Sequence, residues 1–199
     1  MDDIVRQAMA KWPDVPDCYD WLMLDARGAW RIRDEAAQAL NVPGDRIAHT
    51  ALVAFINRNY GPDACGRWYF QNGPQRVYVN LEATPYIART APGGKFQLHT
   101  EMILGRVDTA WLTESGEMLL CGEGMLAQVD DRDLVECLPE LRLDGDPVDD
   151  ARLLEWIAGH GSQALTLYRG DQVIPVNRIT ADAVATTFGF VRMPTPGAR

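Results

Sequence analysis

Short apolar segments alternate with glycine-centred turns along this sequence. The turns lie at Gly28, Gly73, Gly116 and Gly170, and each is flanked by runs rich in Trp, Tyr, Val, Ile and Leu. Such runs favour strands, and glycine adopts the positive φ that tight turns require. The pattern therefore predicts four β-hairpins.

The first hairpin has one apolar and one polar face. Residues 21–24 form an apolar strand, residues 25–28 have turn chemistry, and residues 29–33 return with alternating character. Trp30 and Ile32 share one face of the returning strand, because successive side chains in a strand point to opposite sides. Arg31 and Arg33 share the opposite face.

Helical periodicity and capping residues predict helices between the hairpins and at the chain ends. The predicted helices cover residues 3–11, 46–60, 130–137, 147–160 and 180–187. The remaining strands are expected at 67–71, 76–82, 86–90, 95–105, 109–113, 117–121, 125–129, 164–168, 172–176 and 188–191. Separate runs of strands and helices indicate an α+β protein.

The most linker-like stretch is the Pro-Gly-Gly segment at residues 91–94. We therefore expect two small α+β domains, residues 1–93 and 94–199, each a twisted antiparallel sheet packed against helices.

An internal duplication is one explanation for the four hairpins. The positions four before, two after and four after the glycine hold Leu24, Trp30 and Ile32 in one hairpin, and Leu112, Met118 and Leu120 in another. Around Gly73 and Gly170 the residues differ at several of these positions. A repeated hairpin-helix-hairpin unit is one hypothesis, and independent hairpins with the same turn chemistry are the other.

The charge is unevenly distributed along the chain. The net charge is −9, and the sequence is 47% apolar and 24% charged, as in an ordinary folded protein. Residues 46–106 carry a net charge of +4 and residues 107–160 a net charge of −11. An acidic chain is a poor nucleic-acid binder, since phosphate contacts need a basic face. The basic segment either holds a small anion, meets an acidic surface, or simply forms a solvated face.

The sequence contains neither a signal-peptide pattern nor an apolar run of the roughly 18 residues that cross a membrane. The four cysteines form no CxxC pair and have no zinc-ligand spacing, so we expect reduced thiols in a cytoplasmic protein. We expect no metal and no cofactor.

The candidate site lies on the predicted strand 76–82. Arg76, Tyr78, Asn80 and Glu82 alternate with apolar residues and therefore share one face. A cation, a phenol, an amide and a carboxylate in one row make a suitable wall for a small polar or anionic ligand. The alternative is a solvated sheet face with cross-strand pairs.

The familiar catalytic and metal motifs are missing from the sequence. His99 and Glu101 have the spacing of zinc deaminases without the partner cysteines, and residues 144–150 lack the ligand spacing of a calcium loop. We therefore expect a binding or regulatory module for a small ligand or a partner protein. An enzyme using Tyr78 and Glu82 for acid–base chemistry, and a self-assembling protein whose basic and acidic halves meet head to tail, remain the alternatives.

Three segments carry a resemblance to known families. They are CYDWLMLDARGAW at 18–30, WYFQNGPQRVYV at 68–79 and EATPY at 82–86. They resemble a proteobacterial family catalogued only as a domain of unknown function. The overall pattern is similar to a two-domain family of unknown function built from repeated helix-and-strand motifs. The second resemblance implies a signalling role, and neither implies catalytic residues.

Overall fold

The chain forms two units in the computed structural model, which describes residues 1–197. Unit 1 combines Met1–Pro85 with the segment that begins at Gly189, and unit 2 is Tyr86–Phe188. The predicted boundary between residues 93 and 94 lies inside unit 2, in a short 3₁₀ turn that joins two of its strands.

Unit 1 is a mixed sheet with helices against it. Its elements are α1 Asp3–Lys11, β1 Cys18–Leu24, β2 Trp30–Ile32, α2 Glu35–Ala39, β3 Asp45–Arg46, α3 Thr50–Arg58, β4 Tyr60–Pro62, β5 Trp68–Asn72 and β6 Gln75–Leu81. The strand order is β3-β2-β1-β6-β5-β4, and β1 and β6 run parallel at the centre. The other neighbouring pairs are antiparallel.

Unit 2 has a longer mixed sheet. Its elements are β7 Tyr86–Ala91, β8 Lys95–Leu98, β9 Ile103–Leu104, β10 Thr109–Leu112, β11 Met118–Gly122, β12 Met125–Val129, α4 Leu134–Cys137, β13 Leu141–Leu143, β14 Asp146–Pro147, α5 Asp150–Ile157, β15 Leu165–Arg169, β16 Gln172–Arg178 and α6 Ala181–Phe188. The order is β14-β13-β15-β16-β10-β11-β12-β7-β8-β9, with β10–β16 and β12–β7 parallel.

The α+β class is confirmed, but the sheets are mixed where we expected antiparallel ones. Each hairpin is antiparallel within itself. The first strand of one hairpin then pairs in parallel with the last strand of the next, as β1–β6 and β10–β16 do. Parallel neighbours need a long crossover, and the helices between the hairpins lie in that connection.

The hairpin-helix-hairpin arrangement occurs in both units with the same strand register relative to its glycines. The matched Cα pairs are Leu24–Trp30 and Leu112–Met118, Phe70–Val77 and Leu167–Ile174, and Leu24–Leu81 and Leu112–Arg178. The repeat therefore includes the hairpins of Gly73 and Gly170, whose residues match poorly. Register repeats because backbone pairing and turn length determine it, and these tolerate different side chains.

Several element boundaries differ from the sequence prediction. Helix α5 begins at Asp150, because Asp146–Pro147 forms β14 and Asp149 caps the helix by accepting a hydrogen bond from Arg152 N at 2.9 Å. The strand expected at 188–191 is a helix end followed by one parallel bridge between Arg67 and Val191. Helix α2 was missed, since it is a short helix of five residues.

Each unit buries its own apolar side chains. In unit 1 the inward faces of the sheet meet α3, whose Phe55 ring packs edge-on against Phe70 at 5.4 Å. In unit 2 the core continues from Phe96 to Val176 through the hairpin strands. Within residues 1–197, none of the helices has the length and apolar character needed to cross a membrane.

Candidate functional site

A cavity of about 370 Å³ lies beside the central parallel strands of unit 1. We call it the Asn80 pocket. The lining residues that matter below are Met23, Arg33, Asn80, Glu82, Arg192 and Met193. Met23 and Asn80 are Cα partners near the C-terminal ends of β1 and β6, so neighbouring strands contribute to one wall.

Asn80 is a buried amide whose side chain makes one hydrogen bond, through its nitrogen. The residue is 3% exposed, and its Nδ2 donates to Asp20 Oδ1 at 3.0 Å. A carboxylate only accepts hydrogen bonds, so this contact determines which amide atom faces Asp20. Asn80 Oδ1 is left without a hydrogen-bond partner among residues 1–197. An unsatisfied buried acceptor costs about 1–3 kcal/mol, and this oxygen is closed to solvent although Asn80 lines the pocket.

Asp20 is held toward Asn80 by an irregular stretch of β1. Between Cys18 and Leu22 the strand advances four residues while β6 advances two. Asp20 adopts a φ of 65°, which is uncommon for a residue with a side chain. Bulges and strained backbone occur frequently beside binding and active sites. Asp20 does not line the pocket, but its side chain contacts Asn80 and Arg33, which do.

Arg33 places a positive charge in the pocket wall. It is 3% exposed, and its guanidinium donates to Val42 O at 3.0 Å and to Asn41 Oδ1 at 3.1 Å. Its Nη1 lies 3.9 Å from Asp20 Oδ1, although the Asp20 side chain is 47% exposed. A buried charge is costly unless its environment compensates it, and here the loop between α2 and β3 supplies carbonyl oxygens.

The polar lining is completed by Glu82 and Arg192. Glu82 is exposed, and its Oε2 accepts a hydrogen bond from Ala26 N at 2.9 Å. Arg192 Nη1 donates to Glu82 O at 3.4 Å, and Leu81 N donates to Arg192 O at 2.7 Å. These bonds attach the segment after Gly189 to the end of β6. Two arginines and one glutamate give the pocket a positive lining.

The predicted site residues are distributed over three places in unit 1. Asn80 and Glu82 line the same pocket. Tyr78 is buried at 1% exposure and stacks on Tyr19, with ring centroids 4.6 Å apart. Arg76 lines another cavity, and its guanidinium lies 4.7 Å from the Tyr69 ring centroid. The structure therefore brings two of the four together.

Two of the four predicted residues are separated from the pocket because β6 is a central strand, and its side chains are covered on both faces. The polar row could be read from the sequence, but the β1–β6 pairing that buries it could not. The sequence pointed only weakly to Arg33 as a site residue, because Arg33 falls on the polar face of the first hairpin. Arg192 had none, because its position depends on a contact with residues more than a hundred positions earlier.

Tyr78 belongs to a buried cluster with a structural role. Its hydroxyl donates to Asp63 Oδ2 at 3.1 Å, and the Arg67 guanidinium lies 4.8 Å from its ring centroid and pairs with Asp63 at 2.8 Å. Burial by itself would raise the pKa of Asp63, but hydrogen bonds from Arg67 and Cys65 N hold it below its usual value. Burial raises the pKa of Tyr78, which keeps its hydroxyl protonated.

Two other cavities of unit 1 have less suitable chemistry. In one of about 520 Å³, Arg31 is bonded to Asp25 Oδ2 at 2.7 Å, and Asp34 caps α2. The other, of about 590 Å³, contains Arg76 beside Asp14 and Asp17. Its carboxylates offset the arginine, so neither cavity combines a buried cation with a positive lining.

The charged lining of the Asn80 pocket is not repeated in unit 2. The shared register places Trp111, Cys121, Asn177 and Ile179 where unit 1 has Met23, Arg33, Asn80 and Glu82. Trp111 packs against Phe188 of α6 with ring centroids 5.9 Å apart. The amide is thus common to both units, whereas the charges are found in unit 1.

No group of three His, Cys, Asp or Glu side chains within residues 1–197 is arranged to hold a metal ion. His99 and Glu101 occupy the turn after β8, where His99 Nδ1 accepts a hydrogen bond from Ile87 N at 3.2 Å. Glu101 has a φ of 71° and is exposed.

Fold and pocket together define an α+β protein of two units, the first with a polar cavity beside its parallel strands. The chain belongs to the DUF2944 family, described as "Protein of unknown function (DUF2946)", whose model matches residues 1–195. The expected membership in a family of unknown function is confirmed. No curated protein matches the chain.

Two solved structures, both of DUF1285 family proteins, are similar to the chain. The protein from Silicibacter pomeroyi DSS-3 has 12% identity and a TM-score of 0.49, covering 92% of this chain and 98% of its own. The protein from Shewanella baltica OS155 has 14% identity and a TM-score of 0.40, covering 58% and 88%.

Proposed function

We propose that this protein is a cytoplasmic binding module for a small ligand that carries a carboxylate or phosphate group. The ligand occupies the Asn80 pocket, where Arg33 and Arg192 contact its anionic group. Guanidinium groups match the planar geometry of carboxylate and phosphate oxygens and bind them with charge-assisted hydrogen bonds. Met23 and Met193 supply the apolar surface that ligand pockets combine with a few polar groups.

The buried charge of Arg33 is the observation that carries this proposal. A guanidinium at 3% exposure normally has a close carboxylate partner, but Asp20 approaches it only to 3.9 Å. An anion in the pocket would complete its coordination. Binding within a low-dielectric wall also strengthens the attraction between the two charges.

A binding role is favoured over catalysis by the kind of groups in the pocket. Two guanidiniums, an amide and one carboxylate orient and neutralise a ligand. None of these four groups is a nucleophile held by a neighbouring base, which is the arrangement that covalent catalysis requires. The free thiols at Cys18, Cys65, Cys121 and Cys137 support a reducing compartment.

Binding is tested by thermal unfolding and calorimetry with a panel of small carboxylates and phosphates. A true ligand at a hundred times its Kd stabilises the folded state by about 2.7 kcal/mol. For a chain of this length that raises Tm by roughly 5–10 °C. Arg192→Met should weaken binding at least about tenfold, because it removes a charge-assisted contact.

The matched control is Arg106→Met, which removes an exposed arginine of unit 2 whose partner is the exposed Asp108. It should leave the affinity unchanged. The proposal is wrong if no anion of the panel raises Tm, or if the two variants weaken binding equally.

A regulatory role, which the resemblance to the two-domain family of unknown function implies, would use the same site. Arg192 belongs to the segment after Gly189, and it contacts both the pocket and β6. A ligand bound to Arg192 would therefore stabilise the attachment of this segment. Slower hydrogen exchange at residues 189–197 on ligand addition would support this reading.

A further inference from the structure

Arg33 offers the Asn80 pocket a single guanidinium nitrogen. Its Nε and Nη2 already donate to Val42 O and Asn41 Oδ1. Its Nη1 makes no hydrogen bond within residues 1–197, and this atom is not closed to solvent as Asn80 Oδ1 is. A carboxylate has two oxygens, which suit Nη1 of Arg33 and the guanidinium of Arg192. A phosphate group presents three oxygens and therefore needs more donors.

Backbone amides along the pocket wall are engaged within the fold. Glu82 N donates to Leu24 O at 3.0 Å, and Val42 N donates to Ala37 O at 3.0 Å. Pro43, which follows Val42, has no N–H group. Phosphate sites commonly use the open N–H groups of a helix N-terminus or a glycine-rich loop. The wall therefore suits a carboxylate better than a phosphate.

The charge of the lining matches one negative charge on the ligand. Arg33 and Arg192 contribute two positive charges and Glu82 one negative charge, which gives a net charge of +1. Asp20 lies outside the lining, but its Oδ1 is 3.9 Å from Arg33 Nη1 and weakens the attraction for a further negative charge. A phosphate monoester carries about −1.5 to −2 charges at pH 7, which exceeds the charge of the lining. A monocarboxylate matches it.

Apolar side chains from separate segments also line the pocket. Met23 belongs to β1, Val42 and Pro43 to the loop between α2 and β3, and Met193 to the segment after Gly189. Val42 is 43% exposed and Met193 is 54% exposed. An apolar part of the ligand would remove this surface from water, which favours binding in proportion to the area covered. A volume of about 370 Å³ is small for a ligand pocket, so this apolar part is short.

We infer that the ligand is a small monocarboxylic acid with an apolar body, such as a short aliphatic acid. The inference rests on the proposed function, which places an anionic group at the two arginines, and it narrows that group to a single carboxylate. The carboxylate accepts hydrogen bonds from Arg33 Nη1 and Arg192. The apolar body covers Val42 and Met193, and Glu82 repels a second negative charge.

Four ligands with chains of six carbons test the inference by calorimetry near pH 7.5. Hexanoate is the reference, gluconate adds hydroxyl groups, adipate adds a second carboxylate, and hexyl phosphate replaces the carboxylate. Hexanoate should bind at least about tenfold more tightly than each of the others, because they bury hydroxyls or add charge. A smaller preference over any of the three overturns the inference and leaves the proposed function intact, because an anion still binds. Failure of all four ligands to bind overturns both.

Met193→Gln tests the apolar contact. It changes an exposed side chain to an amide of similar length, so folding is not at risk. Hexanoate binding should weaken about fivefold, because less apolar surface is covered. Met102→Gln is the matched control, since Met102 is a methionine of unit 2 that is 44% exposed, and it should change nothing. Equal effects of the two substitutions overturn the assignment of the apolar body.

Glu82→Gln tests the selection for one charge. Glu82 is exposed, and a glutamine oxygen can still accept the hydrogen bond from Ala26 N. The substitution should raise the affinity for adipate about fivefold more than the affinity for hexanoate, because the repelling charge is removed. Glu155→Gln, an exposed glutamate of α5, is the matched control and should alter neither affinity. An unchanged ratio of the two affinities in Glu82→Gln overturns the role given to Glu82.

Discussion

Two aspartates have a pKa that their surroundings lower, the half-buried Asp63 in unit 1 and the buried Asp130 in unit 2. Burial would raise the pKa of each, but hydrogen bonds reverse the direction, from Arg67 for Asp63 and from Arg132 for Asp130. Arg132 Nε donates to Asp130 Oδ1 at 2.9 Å. Both carboxyls therefore release their protons more readily in the folded chain than in the unfolded one.

This difference in pKa between the folded and the unfolded chain predicts that the protein loses stability in acid. A depressed pKa contributes stability above the unfolded value near 3.8, and the contribution is lost as pH falls through the folded value. Asp63→Asn should lower the free energy of unfolding at pH 7 by about 1–3 kcal/mol, because Arg67 and Tyr78 lose a charged partner. It should also flatten the decline below pH 4. Urea denaturation between pH 3 and pH 7 measures both effects.

Asp3→Asn serves as the control, since the Asp3 side chain is 84% exposed. It should leave the pH profile of stability nearly unchanged. An Asp63→Asn protein with the wild-type decline below pH 4 would show that Asp63 does not contribute.

At the scale of elements, the hairpin of Gly73 depends on one backbone conformation. Asn72 and Gln75 are paired, so Gly73 and Pro74 form a two-residue loop. Gly73 has a φ of 56°, and a type II′ turn requires positive φ at the first loop residue while accepting the negative φ of proline at the second. The Gly73-Pro74 sequence is thus compatible with a tight two-residue turn.

Gly73→Ala should therefore destabilise unit 1 by about 1–2 kcal/mol, the cost of placing a side chain in the left-handed region. The loss is purely conformational, because a Cβ at this position would meet nothing closer than the Ala8 Cβ at 3.9 Å. Chemical denaturation measures it. Gly61→Ala is the matched control, since Gly61 has no positive φ and open space around it, and it should be neutral or slightly stabilising. Equal effects of the two substitutions would rule out the conformational explanation.

Elements differed in how well the sequence predicted them. The hairpins were predictable because turn chemistry and alternation are local, and Asn80 with Glu82 could be placed in one row for the same reason. The parallel pairing of β1 with β6 was not predictable, since it joins residues more than fifty positions apart. That pairing buries Tyr78 in a cluster apart from the pocket that Asn80 lines. It also brings Arg33 beside the pocket.

At the scale of the whole molecule, unit 2 is inserted into unit 1 along the chain. The segment after Gly189 returns to unit 1, where Val191 N donates to Gly66 O at 3.0 Å and Phe190 is buried. Local patterns could not predict this return, because the anchoring contacts are few and distant in sequence.

Phe190→Ala should consequently destabilise unit 1 and leave unit 2 unaffected. Removing a buried phenylalanine side chain costs about 3–5 kcal/mol. Hydrogen exchange should show lost protection in β5 and β6, with β10 and β16 unchanged. Phe188→Ala, two residues earlier, removes the ring that packs on Trp111 and should give the opposite pattern. Loss of protection in the same strands for both variants would contradict the division into units.

The late return of the chain also sets an order of events during synthesis. Residues 86–188 contain every strand of the second sheet, and they are synthesised before residues 189–197. All strands of unit 2 are therefore present in the chain before unit 1 receives Phe190 and Arg192. The Asn80 pocket is complete only once Arg192 and Met193 have been synthesised, so under the proposed function a nascent chain that ends before them lacks part of the binding site.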